Sequence, residues 1–355
     1  MQNNFFGAGT RFAAAAILSA AALAVSLPAE EHNSYTATYL VSDQADVAVN
    51  QDTSLVNAWG LTSTPTSPWW VADNGTNVST LYRADGTKVP LTVAVMNAPT
   101  GAVANTGGSF AVTNGTSSAP ARFIFSTEEG TILGWNPAIS AAAVLGATGP
   151  GAIYKGLAIA STAGGDFLYA TDFHNRRVDV YDGSFDPVIV EGAFVDPKIP
   201  DDYAPFGIQN VNGRIFVTYA KQDAEGEDDV AGQGHGFVDV FDTAGMLLAR
   251  VAQHGQLNSP WGIALAPSDF GAFSGDLLIG NFGDGRINAY EPKKDGRFEF
   301  AGQLRTSNHK RLVIDGLWAL QFGKGAAANG PTSTLFFTAG PDDESHGLFG
   351  TIVSN

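Results

Sequence analysis

The stretch Gly156-Leu-Ala-Ile-Ala160, followed by Phe167-Leu-Tyr-Ala-Thr-Asp-Phe-His-Asn-Arg-Arg-Val-Asp-Val-Tyr-Asp-Gly183, decides the fold. It sets a glycine beside an aliphatic residue, then an apolar run, a polar turn at 172–176, a second apolar run and a turn at Asp182-Gly183. Short apolar runs bounded by Asp, Asn and Gly read as strands joined by tight turns. With Pro187 to Val190 as a fourth strand, the unit is one four-stranded sheet. The landmark recurs at Gly60 in Asn-Ala-Trp-Gly-Leu, Gly101, Gly207 in Pro-Phe-Gly-Ile, Gly262 in Pro-Trp-Gly-Ile and Gly316 in Asp-Gly-Leu. With Gly156 included, subtraction gives separations of 41, 55, 51, 55 and 54 residues. A period of roughly 40 to 50 residues is that of a propeller blade. The expectation is an all-β, six-bladed β-propeller spanning 30–355 as a single domain.

Working outward, blade one takes Ala58 to Ser63, Trp69 to Ala72, Ser79 to Arg83 and Val89 to Val95. Blade two takes Phe110 to Val112, Arg122 to Ser126, Thr131 to Trp135 and Ala142 to Leu145. Blades four and five repeat the pattern after Gly207 and Gly262. Blade six has three strands, at Gly316 to Phe322, Thr334 to Thr338 and Leu348 to Val353, after which the chain ends. Tyr35 to Val41, apolar and unpartnered ahead of blade one, is expected to supply the missing outer strand and close the ring, which also covers a sheet edge.

The composition suits this architecture. The chain has 355 residues, 42 Gly and 23 Phe, and a formal net charge of -16 with only 19 Lys and Arg. Phosphate recognition needs clustered basic side chains, so nucleic acid is excluded as an expected partner. With no cysteine, disulfides, thiolate zinc sites and cysteine nucleophiles are excluded as well. Arg11 followed by the Ala-rich apolar run Phe12 to Leu27 reads as a secretory leader over 1–29, with cleavage after Ala24 or Ala29; an uncleaved anchor is the alternative. The mature chain is then expected to be secreted or periplasmic, with no membrane span.

In a propeller, the loops leading into the inner strands share a face with the loops joining second and third strands. The residues before the landmark glycines, Trp59, Thr100, Lys155, Phe206, Trp261 and Asp315, should therefore ring the channel mouth. Trp59, Phe206 and Trp261 are ligand-binding candidates, because aromatic faces offer large contact areas; packing between blades is the alternative for them. Lys155 is expected to oppose Asp315 across the opening as a polar, catalytic pair. From the neighbouring loops, Asp73, Glu128, Asp172 and Asn281, with Asn57, offer the oxygen-rich donor set that Ca²⁺ takes. Ordinary turn chemistry is the alternative for these residues. The acidic insertions Asp223 to Asp229 and Asp342 to Glu344, each followed by His-Gly, read as solvated tips or as lids. A zinc centre from His174, His235 and His346 is conceivable on position alone. There is no Gly-x-Ser-x-Gly elbow and no phosphate-cradling loop.

Gly156 to Gly183 resembles an NHL-type repeat, and Trp261 to Tyr290 resembles another. The opening, Tyr39-Leu-Val-Ser-Asp43, Asn57-Ala-Trp-Gly-Leu61 and Trp70-Val-Ala-Asp-Asn-Gly75, resembles a family of uncharacterised exported bacterial proteins, which implies export and six blades but no activity. More distantly, the ring is similar to the paraoxonase, gluconolactonase and strictosidine-synthase group. That resemblance implies a channel Ca²⁺ held by Glu, Asn and Asp; Asn57 stands where gluconolactonases carry a metal-binding Glu. Three functions follow as expectations: binding of a small molecule, glycan or extracellular protein segment on the channel face; a Ca²⁺-assisted hydrolase or lactonase; or a non-catalytic cell-surface scaffold.

Overall fold

The structure, a computed structural model, describes Met1 and residues 33–355. The leader assigned to 1–29 thus falls outside the described residues.

Six antiparallel sheets follow one another along the chain, and their inner strands contact one another in cyclic order, the sixth returning to the first, which makes a six-bladed β-propeller. Those inner strands are Ala58–Thr62, Pro99–Ala104, Tyr154–Thr162, Tyr203–Val211, Pro260–Leu265 and Leu317–Phe322. The ring closes as the sequence suggests. Tyr35–Ser42 pairs antiparallel with Leu348–Ser354, from Tyr35 opposite Ser354 to Ser42 opposite Leu348. The Tyr35 hydroxyl also donates to the Phe270 carbonyl at 2.9 Å, tying this strand to blade five. No helix among the described residues is long and apolar enough to cross a membrane.

Blade two departs from expectation. Its inner strand is Pro99–Ala104, whereas the Phe110 to Val112 run joins a side hairpin, Ala111–Thr113 with Ser118–Pro120. Phe110 is buried against Phe185, 5.3 Å between ring centroids. The true inner strand is built of small residues, because a Cβ at Gly101 would collide with the backbone of Leu157 in blade three. Crowding around the axis thus overrides strand propensity.

The core is divided into packets between neighbouring blades. One gathers Trp70, Leu81 and Val93 from blade one with Phe123, Phe125 and Trp135 from blade two. The packet between blades six and one continues into the channel through Trp59, Phe206, Trp261 and Trp318.

Candidate functional site

The landmark glycines explain how the mouth is assembled. A Cβ on Gly60, Gly156, Gly207 or Gly262 would run into the carbonyl of Thr100, Phe206, Trp261 or Trp318 respectively, on the next inner strand. Hydroxyls on second strands reinforce the seams: Thr171 Oγ1 donates to the Phe206 carbonyl at 2.7 Å, and Thr338 Oγ1 to the Trp59 carbonyl at 2.5 Å. In blade six the equivalent position is Ala319, whose N–H donates to Thr338 Oγ1 as Gly207 N–H donates to Thr218 Oγ1. Gly316 is a turn glycine with φ of 60°. The mouth residue of blade six is therefore Trp318, not Asp315.

This register brings the aromatics together as a plug. Trp59 stacks on Trp318 with centroids 3.9 Å apart, and Trp318 stacks on Phe282, also at 3.9 Å. Trp261 meets the edge of Trp318 at 5.8 Å, and Phe206 packs against Trp318 and Phe173. The Trp318 indole N–H donates to Asn57 Oδ1 at 2.9 Å, and that of Trp261 to the Lys155 carbonyl at 3.0 Å. Trp59 Nε1 is buried with no partner among the described residues. The three aromatic candidates converge, but Trp59 and Phe206 are buried against Trp318 instead of lining an open rim.

Beside the plug lies a polar network. Lys155, only 2% exposed, places Nζ 2.6 Å from Glu128 Oε1, 3.0 Å from Asp228 Oδ1 and 5.4 Å from the Trp59 ring centroid. Asn74 Nδ2 donates to Glu128 Oε2 at 2.9 Å. Asn57 Nδ2 donates to Glu344 Oε2 at 2.5 Å and to Asn74 Oδ1 at 3.2 Å. Burial works against the Lys155 ammonium, but Glu128 and Asp228 outweigh it and hold the pKa above its ordinary value. Burial pushes the Glu344 carboxyl up to about 7, against the Asn57 hydrogen bond and the Lys155 charge, with Glu128 and Asp228 adding to the rise. Glu344 is carried by Asp342, Asp343 and Glu344 with φ of 54°, 50° and 64°. Left-handed backbone at non-glycine residues costs about 1–2 kcal/mol each, so this turn is strained.

The other candidates lie elsewhere. Asp315 Oδ2 accepts the Asp342 N–H at 3.0 Å, and the ion pairs of Lys155 are with Glu128 and Asp228. Of the proposed oxygen ligands, Asn57 and Glu128 share the mouth. Asp73 is fully buried at its strand end, accepting the Thr80 N–H at 2.9 Å, and burial raises its carboxyl pKa well above the ordinary range. Asp172 accepts the Asn175 N–H and pairs with Arg177, which is turn chemistry. Asn281 donates to Asp284 and to the Gln256 carbonyl. The histidines also diverge: Nδ1 of His174 contacts the Gly226 carbonyl, that of His235 the Val230 carbonyl, and that of His346 Asp43 Oδ2.

The mouth as folded does not fit a calcium ion. Asn57 commits its oxygen to Trp318 and turns its nitrogen toward the carboxylates, as does Asn74 toward Glu128. An amide nitrogen is no ligand for this hard cation. Among the described residues, no group of three or more His, Cys, Asp or Glu is arranged to hold a metal.

Trp318 and Phe282 escaped the sequence reading, and Asp228 and Glu344 were seen only as parts of acidic loops. One signal was available for Trp318: Leu-Trp-Ala-Leu at 317–320 repeats the aromatic–small–aliphatic order of Trp59-Gly-Leu and Trp261-Gly-Ile.

Comparison with known proteins follows from this geometry. No family model matches the chain. Among solved structures, a protein of unknown function from Bacteroides thetaiotaomicron superposes with a TM-score of 0.56 at 11% identity, covering 90% of this chain and 76% of that one. Virginiamycin B lyase from Staphylococcus aureus gives 0.51 at 13% identity over 90% of this chain and 99% of that one. A gluconolactonase from Xanthomonas campestris gives 0.51 at 13% over 85% and 87%. At such identities the likeness concerns the fold alone. Sequence relatives are closer, and they are viral where the opening motifs suggested bacterial ones. "Uncharacterized protein R648" of Acanthamoeba polyphaga mimivirus is 33% identical over 89% of this chain and 80% of its own length. "Uncharacterized protein L690" of the same virus is 32% identical over 89% and 85%. The chain belongs to the family of these uncharacterised mimivirus proteins.

Proposed function

We propose that the chain is a ligand-binding propeller whose channel mouth takes a small polar molecule. One observation carries this reading: Asn57 and Asn74 of blade one, Glu128 of blade two, Lys155 of blade three, Asp228 of blade four and Glu344 of blade six meet beside an aromatic plug. Burying ion pairs is a poor route to stability compared with apolar packing. Convergence of perturbed groups and strained backbone in one place supports a functional site there. The unpartnered Trp59 N–H adds a donor close to the network. The leader pattern of 1–29 supports an extracytoplasmic setting.

The aromatic residues form the floor, and the polar side chains make the contacts. A panel of aldoses, aldonolactones, amino acids and polyamines, followed by tryptophan emission and melting temperature, tests the proposal. A binding member should lose its effect in Glu344→Gln and Asn74→Ala proteins that remain folded. A panel without any response, or a response untouched by both variants, overturns it.

A hydrolase or lactonase is the second reading, favoured by Glu344, whose carboxyl near neutrality is matched to proton transfer. Glu344 would exchange the proton while Lys155 and Asn74 orient the polar group of the substrate. Turnover of esters or lactones that vanishes in Glu344→Gln would support it.

A further inference from the structure

Glu128, Asp228 and Glu344 arrive from three blades, and like charges delivered to one small region repel unless a cation stands among them. Lys155 Nζ bonds two of them, at 2.6 and 3.0 Å, and its charge also reaches Glu344. The lysine is almost inaccessible, held by its own strand and lying over the Trp59 ring. The amides of Asn57 and Asn74 are turned nitrogen-inward, donating to Glu344 and Glu128. Asn74 thereby completes the Glu128 carboxylate that the ammonium already binds, and Asn57 serves the neighbouring Glu344. Around a divalent metal the amide oxygens would face inward instead.

We infer that Lys155 is the built-in cation of the channel mouth: its ammonium gathers the carboxylates of blades two and four, so the mouth assembles without calcium. The disagreement with a channel Ca²⁺ is thus a substitution of one cation for another. This goes beyond the ligand reading and does not depend on it, because no organic ligand enters the argument or its test. The same geometry makes a second statement. With the ammonium removed, Glu128 and Asp228 lack their counter-ion, so a divalent cation should be taken up in its place, with the Asn57 and Asn74 amides turning their oxygens inward to meet it.

Calcium titration by calorimetry, with melting curves in EGTA and in millimolar CaCl₂, tests this on wild type, Lys155→Arg and Lys155→Met. Wild type and Lys155→Arg should show no binding heat and equal melting temperatures in the two buffers. Lys155→Met should melt several degrees higher in calcium than in EGTA, since a ligand bound only by the folded state stabilises it by mass action. Stoichiometric calcium binding to wild type overturns the inference, as does a folded Lys155→Met protein indifferent to calcium. Should Lys155→Met fail to fold in either buffer, the wild-type titration decides alone: no heat and no shift supports the assignment, and stoichiometric binding overturns it.

Discussion

The packet between blades one and two is fully buried and the mouth of the channel only around Lys155, and they are built on opposite principles. In the packet, Trp70 stacks on Phe123 at 3.9 Å and meets Trp135 at 4.9 Å, with Phe125, Leu133 and Val93 around them. Two adjacent blades suffice, and the driving force is the removal of apolar area from water, which is non-directional. At the mouth, charged and amide groups from five blades bond one another in fixed geometry, under a turn of three left-handed residues. The packets account for why the ring holds. The mouth is expensive to bury, so holding the ring together is not what it is for.

The largest test of this contrast removes Asn33 to Ser42. The deletion takes Tyr35 out of the packet between blades five and six, takes Val41 out of the packet between six and one, and leaves Leu348–Ser354 as a bare edge. A collapse of the cooperative thermal transition is expected in circular dichroism. A truncated protein melting like the full chain would show that the seams do not depend on closure.

Next in size is Trp70→Ala. Deleting a large aromatic side chain from a packed core costs about 3–5 kcal/mol, measurable by urea unfolding, while calcium response and pH dependence should be unchanged. A loss below about 1 kcal/mol would mean the packet collapses around the gap and the contrast is weaker than drawn.

Lys155→Met acts at the mouth by another mechanism. It strands Glu128 and Asp228, and because the Asp228 side chain is 74% exposed, the loss should fall below the roughly 3–5 kcal/mol of a fully buried pair. Adding Glu128→Gln to Lys155→Met should recover part of it. Strict additivity in that double-mutant cycle would show that the pair is not coupled.

The smallest effect is a slope. The folded Glu344 carboxyl sits at about 7 against an ordinary 4.5, so between those values the folded state holds its proton more tightly than the unfolded chain does. Its contribution to stability is full below the ordinary value and fades as pH rises through 7. Asp239 and Asp276, each raised by burial to about 6, tilt the curve the same way. The informative quantity is therefore the difference between wild type and Glu344→Gln, which should be a curve falling with rising pH. A flat difference would show that burial does not raise the Glu344 carboxyl.

The packets and the ring were readable along the chain, and the mouth only in part. Gly60, Gly156, Gly207 and Gly262 mark inner strands because a carbonyl of the next strand crowds the place of a Cβ there, in four of the six blades. Gly316 broke the reading. A glycine needed for φ of 60° looks the same in sequence as one needed for close approach, so Asp315 was taken for the mouth residue in place of Trp318. In blade two Gly101 and Thr100 marked the mouth, but the small residues around them carry little strand signal, so the strand was expected at the apolar run from Phe110 instead of at Pro99–Ala104.

Sequence by itself determined the number of blades, the apolar seams and the strand that closes the circle, because each rests on a periodicity that crowding at the axis imposes on most blades. Tertiary structure alone decided that Lys155 faces Glu128 and Asp228, that Asn57 turns its nitrogen to Glu344, and that the tryptophans stack on each other. The physical reason is range. A blade's pattern is written within about 50 residues, whereas the partners at the mouth come from loops far apart along the chain, placed by the curvature of the whole ring and by the turn at 342–344.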